Sequence, residues 1–249
     1  GDPEGSRAII NQWVEDITED RIKDLIPDGA IDPATRLVLV NAIWFYANWF
    51  EQFNPDLTAP GPFTLLDGST VQVPLMHATI DAAYADADLF EAVRLRYTGD
   101  ASMVVLLPKA GSPADLAADL DPADLRIDWQ GAQVTLTLPS FEFEATIDNL
   151  VDALKQLGMR AAFSPGAADF TGITAIPELH VSDVIHKSFI ALDEDGTEAA
   201  AATAIIMRAT SGGGSPPITF TVDRPFLFWI EHSSTGEMLF LGQVTNPGE

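Results

Sequence analysis

From Leu37 to Trp49 the chain reads LVLVNAIWFYANW, a run without a charge and rich in β-branched and aromatic side chains. It is too short to cross a bilayer, and no window of the sequence approaches the length of about 18 apolar residues that would. Apolar at successive positions and bounded by turn signals, it is predicted to be a strand buried at the centre of a sheet. Asn41 sits in its middle. A buried amide without partners costs about 1–3 kcal/mol, so Asn41 is expected to pair with a specific group.

The segments around this strand alternate between two periods. Ile9, Ile10, Trp13, Val14 and Ile17 are spaced for one helical face, closed by Pro27-Asp28-Gly29. Between Phe63 and Leu107, short apolar runs alternate with turn signals at Asp67-Gly68 and Gly99-Asp100, which predicts antiparallel hairpins. Ser112 to Leu125 reads as a pair of short helices, and Val134 to Phe143 alternates like a strand. Thr146 is predicted to cap a helix bearing Ile147, Leu150, Val151, Leu154 and Leu157, stopped at Gly158. Leu179 to Leu192 is a second long strand. Three short strands fill Ile218 to Val244, the last hairpin turning at Thr235-Gly236. Strands and helices mix without a βαβ rhythm, so the expected class is α+β.

Charge and residue inventory narrow the chemistry. Of 249 residues, 37 are acidic and 13 basic, a net of −24, which disfavours nucleic acid, heparin-like polyanions and anionic membranes as partners. The absence of cysteine excludes a disulfide scaffold, a thiolate zinc site and a cysteine nucleophile. There is no G-x-S-x-G elbow, and the four histidines, at 77, 180, 186 and 232, show no metal-binding spacing. The Gly212-Gly213-Gly214 triplet follows no strand-to-helix turn and so cradles no phosphate. The sequence therefore predicts no enzyme, no metal and no cofactor.

One stretch needs separate treatment: Thr197 to Ser215 reads TEAAAATAIIMRATSGGGS. Locally, Glu198 to Met207 is a strong helix former, followed by a flexible and then a stiff, extended segment. It can thus be a surface helix or a linker. If the segment is extended instead, Thr197, Ala199, Ala201, Thr203, Ile205 and Met207 share one uncharged face, while Glu198 and Arg208 lie on the other. Such a segment can be a surface loop in one state and an inserted strand in another.

DEDGTEAAAAT, from Asp193 to Thr203, resembles the proximal hinge of the serpin reactive-centre loop. VDRPFLFWI, from Val222, resembles the serpin C-terminal signature, and FLGQVTNP, from Phe240, resembles the family's final strand. LVNAIWFYANWFEQF, VPLMH, GDASMVVLLPKAG, LGMRAAFSPGAADFTGI and LHVSDVIHKSF match further serpin segments in order. Ile9 to Leu25 resembles the helix that lies across the main sheet. The resemblance is to the C-terminal two-thirds of a serpin of prokaryotic type. Residues 1–249 are expected to form a single serpin domain, with mixed sheets A, B and C and surface helices, incomplete at its N-terminal helical part.

What the resemblance implies is an inhibitor of serine proteases, not an enzyme. Residues 194–217 would be the reactive-centre loop. A protease cutting it becomes trapped as an acyl-enzyme when the loop's upstream half inserts into the main sheet. The alternative is a non-inhibitory homologue, carrier or chaperone-like, whose loop is only a substrate. The hinge would comprise Glu194, Gly196, Thr197, Glu198, Ala199, Ala200, Ala201 and Ala202. Asn41 and His186 match a pair in the region where the sheet opens, and Trp49 matches the aromatic where the loop first enters. Ser140 stands where the family often has a lysine facing the hinge acid Glu194. Family spacing places the reactive bond at Thr210-Ser211, with Arg208-Ala209 as the alternative. The first favours an elastase-like or subtilisin-like target, the second a trypsin-like one. The resemblance further implies a monomer. It favours an extracellular or cell-envelope location, with the cytoplasm as the alternative.

Overall fold

The computed structural model describes residues 2–121, 126–147, 149–174, 179–197 and 216–248. In chain order it contains α1 (Pro3–Ile17), β1 (Val38–Trp44), β2 (Ala47–Asn48), β3 (Ala59–Thr64), β4 (Thr70–Asp86), β5 (Phe90–Arg96) and β6 (Ala101–Pro108). These are followed by α2 (Pro113–Asp119), β7 (Gln130–Pro139), β8 (Phe141–Thr146) and α3 (Leu150–Gln156). The last strands are β9 (Asp183–Leu192), β10 (Gly196–Thr197), β11 (Ile218–Thr221), β12 (Phe226–His232) and β13 (Met238–Val244). The class is α+β, as expected. The chain divides into two units, one of residues 1–45 and 143–190, the other of residues 46–142 and 191–249.

In the first unit, α1 starts because Asp2 accepts a hydrogen bond from the Gly5 amide and Pro3 follows it. The helix ends at Ile17, ten residues before the predicted stop at Pro27. Of the predicted face only Val14 is buried. Ile9, Trp13 and Ile17 lie on the exposed side, whereas Asn11, Val14 and Thr18 are buried. The reason is the returning segment at 22–26, which runs along that row. The Asn11 amide donates to the Ile26 carbonyl at 3.0 Å and accepts from its N–H at 2.8 Å. The Thr18 hydroxyl receives the Ile22 N–H at 3.2 Å. Hydrogen-bonding chemistry thus chose the face, and apolar spacing alone did not.

β1 pairs in parallel with β9, from Val38 opposite Asp183 to Trp44 opposite Phe189. Among the described residues β9 is its only partner, and its burial is partial, with Leu39 exposed. The expected fully buried central strand is therefore half-covered. β8 flanks β9. Lys187 of β9 is largely buried, donates to the Lys23 carbonyl at 2.6 Å and pairs with Glu144 of β8 at 2.7 Å. Thr146, predicted as a helix cap, ends β8 instead. The helix begins at Leu150, after Asn149 in a left-handed conformation, and ends before Gly158 at φ +106°.

The second unit is built on an eight-stranded sheet in the order β11-β7-β4-β5-β6-β12-β13, with β3 paired to β4. The predicted hairpins at Asp67-Gly68, Gly99-Asp100 and Thr235-Gly236 are present. All three glycines have positive φ, the conformation such turns demand. Ser112 caps α2 reciprocally with Asp115. The predicted strand from Val134 to Phe143 divides at Ser140 into β7 and β8. One face of the sheet buries Phe90, Val104, Leu106, Leu227 and Trp229 around Leu116 of α2.

Candidate functional site

In the second unit, Asn48–Phe50 is joined to the end of β5. The Thr98 N–H donates to the Asn48 carbonyl at 2.7 Å, the Phe50 N–H donates to the Arg96 carbonyl at 2.9 Å, and Trp49 bridges to Tyr97. The Trp49 and Tyr97 rings stack, with centroids 4.4 Å apart and 7° between planes, and Phe53 meets Trp49 edge-on at 6.1 Å. Trp49 and Tyr97 are both almost fully buried.

This platform holds the turn after β9 by its backbone. The Trp49 N–H donates to the Asp195 carbonyl at 2.8 Å, and its indole N–H donates to the Asp193 carbonyl at 2.9 Å. The Phe53 N–H donates to the Glu194 carbonyl at 3.0 Å. Asp193 closes the turn from inside: its N–H reaches the Gly196 carbonyl, and its carboxylate accepts the N–H groups of Asp195 and Gly196 at 2.9 and 3.1 Å. Burial raises the Asp193 carboxyl above the usual range, the two amides oppose that, and the charges of Asp195 and Glu194 add to it.

The chain then reverses into β10. Gly196 and Thr197 pair antiparallel with Asn48 and Ala47 of β2, and Thr197 pairs on its other side with Leu192 of β9. Thr197 has no exposed surface, and its hydroxyl lies 2.6 Å from that of Tyr97. Burial raises the Tyr97 phenol well above its ordinary value, and the bond to Thr197 offsets part of that rise. A Cβ at Gly196 would collide with the Ala47 carbonyl oxygen and reach within 2.6 Å of the Asn48 Cα. Gly196→Ala is therefore expected to push β10 off β2 and lower the stability of the uncut protein by about 1–3 kcal/mol, measured by urea unfolding. A variant with unchanged midpoint and slope would refute this close-packing account.

Of the sequence-predicted site residues, Glu194, Gly196, Thr197 and Trp49 come together here. Asn41 and His186 stand opposite each other in the β1–β9 ladder of the first unit. Among the described residues no side-chain hydrogen bond joins them, and Asn41 is exposed, not buried as expected. The His186 carbonyl accepts from the Ile147 N–H at 3.1 Å, and burial lowers its imidazole below the ordinary value. Glu198, Ala199, Ala200, Ala201, Ala202, Arg208, Ala209, Thr210 and Ser211 lie outside the described residues. Sequence reading did not single out Tyr97. Its one local signal is an aromatic at a strand end before a Gly-Asp turn, and nothing in that signal points to a residue one hundred positions away.

Among the described residues no group of three histidine or acidic side chains is placed to hold a metal, and no helix is long and apolar enough to cross a membrane. The family model described as "Serpin (serine protease inhibitor)" matches residues 1–247. A serpin-like protein of Thermococcus kodakarensis is 39% identical over 253 residues, covering 99% of this chain and 58% of that protein. The leukocyte elastase inhibitor of Equus caballus is 37% identical over 261 residues, covering 98% of this chain and 67% of the relative. Among solved structures, Serpin48 of the insect Tenebrio molitor superposes with a TM-score of 0.88 at 31% identity, over 99% of this chain and 66% of that one. Thyroxine-binding globulin in complex with thyroxine gives 0.84 at 32%, over 98% and 65%. The chain thus spans roughly three-fifths to two-thirds of the length of these relatives.

Proposed function

The chain belongs to the serpin family, and from that premise we propose that it is the larger part of a suicide inhibitor that traps serine proteases. The target cuts the loop at residues 194–217, between Thr210 and Ser211. The protease serine oxygen bonds the Thr210 carbonyl carbon, and the Ser211 amine leaves with the proton carried by the protease histidine. The freed upstream half then slides between β1 and β9 as a new strand. The attached protease is dragged and distorted before water can cleave the ester.

The observation that carries this reading is β10. Two hinge residues already lie as a strand between β2 and the end of β9, directly ahead of an alanine-rich segment with an uncharged face. The energetics favour completion. Insertion replaces one parallel ladder, the seven pairs from Val38 to Trp44, with two antiparallel ones, which are somewhat more stable per residue. About a dozen added residues at roughly 0.5–1.5 kcal/mol per hydrogen bond give on the order of 10 kcal/mol.

Thr210 suits a shallow specificity pocket, so the preferred target is elastase-like or subtilisin-like, in keeping with the relative named as a leukocyte elastase inhibitor. A trypsin-like enzyme would cut after Arg208. That shortens the tether by about 7 Å, at roughly 3.3 Å per residue, and weakens the trap. Mixing the full-length protein with elastase, subtilisin and trypsin should give a covalent band on denaturing gels, strongest with the first two. Clean cleavage without that band would instead favour a carrier-like homologue, a reading to which the thyroxine complex of one structural neighbour lends weight.

A further inference from the structure

The trapping scheme asks only that the hinge be small and uncharged on its inward face. The hinge of this chain has something more. Its first inward side chain, Thr197, carries a hydroxyl that is fully buried and bonded at 2.6 Å to the buried Tyr97 phenol. Tyr97 is held in turn by its backbone bridge to Trp49 and by the stacked indole. The same Trp49 grips the Asp193 and Asp195 carbonyls of the turn. The phenol is thus fixed from two directions, and its hydroxyl meets the first residue of the incoming strand.

We infer that Tyr97 is a positioning residue for loop insertion: its hydroxyl latches Thr197 into the sheet, so that the first rung of the new strand exists before any protease arrives. The inference rests on the trapping reading and adds to it what sets the outcome of the race. After acylation, insertion competes with hydrolysis of the ester. A strand that must first find its register loses time to conformational search, whereas one that extends from a formed rung does not. A threonine hydroxyl in a dry site without a partner would favour leaving the sheet. The phenol removes that tendency while leaving the inward face free of charge.

The experiment compares full-length wild type, Tyr97→Phe, Thr197→Val and the double variant. The first readout is the number of inhibitor molecules consumed per protease trapped. The second is amide hydrogen exchange at Gly196 and Thr197 in the uncut protein. Tyr97→Phe keeps the ring and its stacking, so a packing role alone would leave both readouts unchanged. The latch predicts that each single variant consumes about fivefold to tenfold more inhibitor per trapped protease and that hinge exchange quickens by a similar factor. The double variant, with both polar ends removed, should be no worse than either single one. A Tyr97→Phe protein that matches a trapping wild type in both readouts overturns the latch alone, as does simple additivity in the double variant. A wild type that is cut without forming a covalent band overturns the trapping reading, and the latch's role in it.

Discussion

Cutting the full-length protein once, between Thr210 and Ser211, is expected to raise its unfolding temperature by roughly 20–40 °C. The estimate combines about 10 kcal/mol of added ladder with about 2–4 °C per kcal/mol for a protein of this size. The sign is the important part. A nick normally costs a protein stability, because it frees chain entropy in the unfolded state. Here the nick would release a tether that keeps a strand out of a sheet able to accept it. On the trapping reading that strand would continue from β10, which lies between Ala47–Asn48 and Leu192. Calorimetry of cut and uncut protein, with the cleavage site checked by mass spectrometry, measures the difference. Equal unfolding temperatures would mean that no strand is added after cleavage, and a mechanism driven by insertion could not stand.

Replacing Thr197 with arginine is the second change expected to have a large effect. Thr197 is fully buried, with neighbouring chain on both sides and the Tyr97 hydroxyl in front. A guanidinium there would be a desolvated charge in a space shaped for a small side chain, a cost of several kcal/mol. The uncut protein escapes that cost by letting the hinge leave the sheet, so it should still fold. The cut protein cannot insert its loop without burying the charge. Insertion should slow at least a hundredfold, against an expected cost of about 3 kcal/mol or more. The variant should therefore be cleaved quantitatively, with almost no covalent complex on gels. Full trapping by this variant would mean that residue 197 does not travel on the inward face.

Local chemistry made much of the fold legible. Asp67-Gly68, Gly99-Asp100 and Thr235-Gly236 announce their hairpins because the backbone there needs a residue without a Cβ penalty. The short apolar runs on either side of Gly99-Asp100 became β5 and β6, and the three short strands expected from Ile218 to Val244 became β11, β12 and β13, whereas β4 is one long strand of 17 residues. The errors have a common cause. The apolar spacing of α1 pointed to one face, and burial went instead to the row of Asn11, Val14 and Thr18, where Asn11 and Thr18 find partners in residues 22–26. Thr146 has the side chain of a helix cap, but pairing of β8 beside β9 claimed it. In each case a contact from elsewhere in the chain overrode a sound local preference.

The candidate site divides along the same line. Gly196, Thr197 and Trp49 are named as candidates from sequence because the hinge string and the aromatic run are contiguous segments that resemble serpin ones. Tyr97 could not be named, and neither could the grip of Trp49 on Asp193 and Asp195. Those contacts join positions separated by 48, 100 and about 145 residues along the chain, and no local propensity encodes such a distance. By itself the sequence determined which segments extend, where they turn and which stretch is free of charge, since steric and solvation preferences act residue by residue. Only the tertiary structure decided which strand β1 lies against and which hydroxyl meets Thr197, because those outcomes depend on burial and hydrogen bonds that exist once distant segments share one interior.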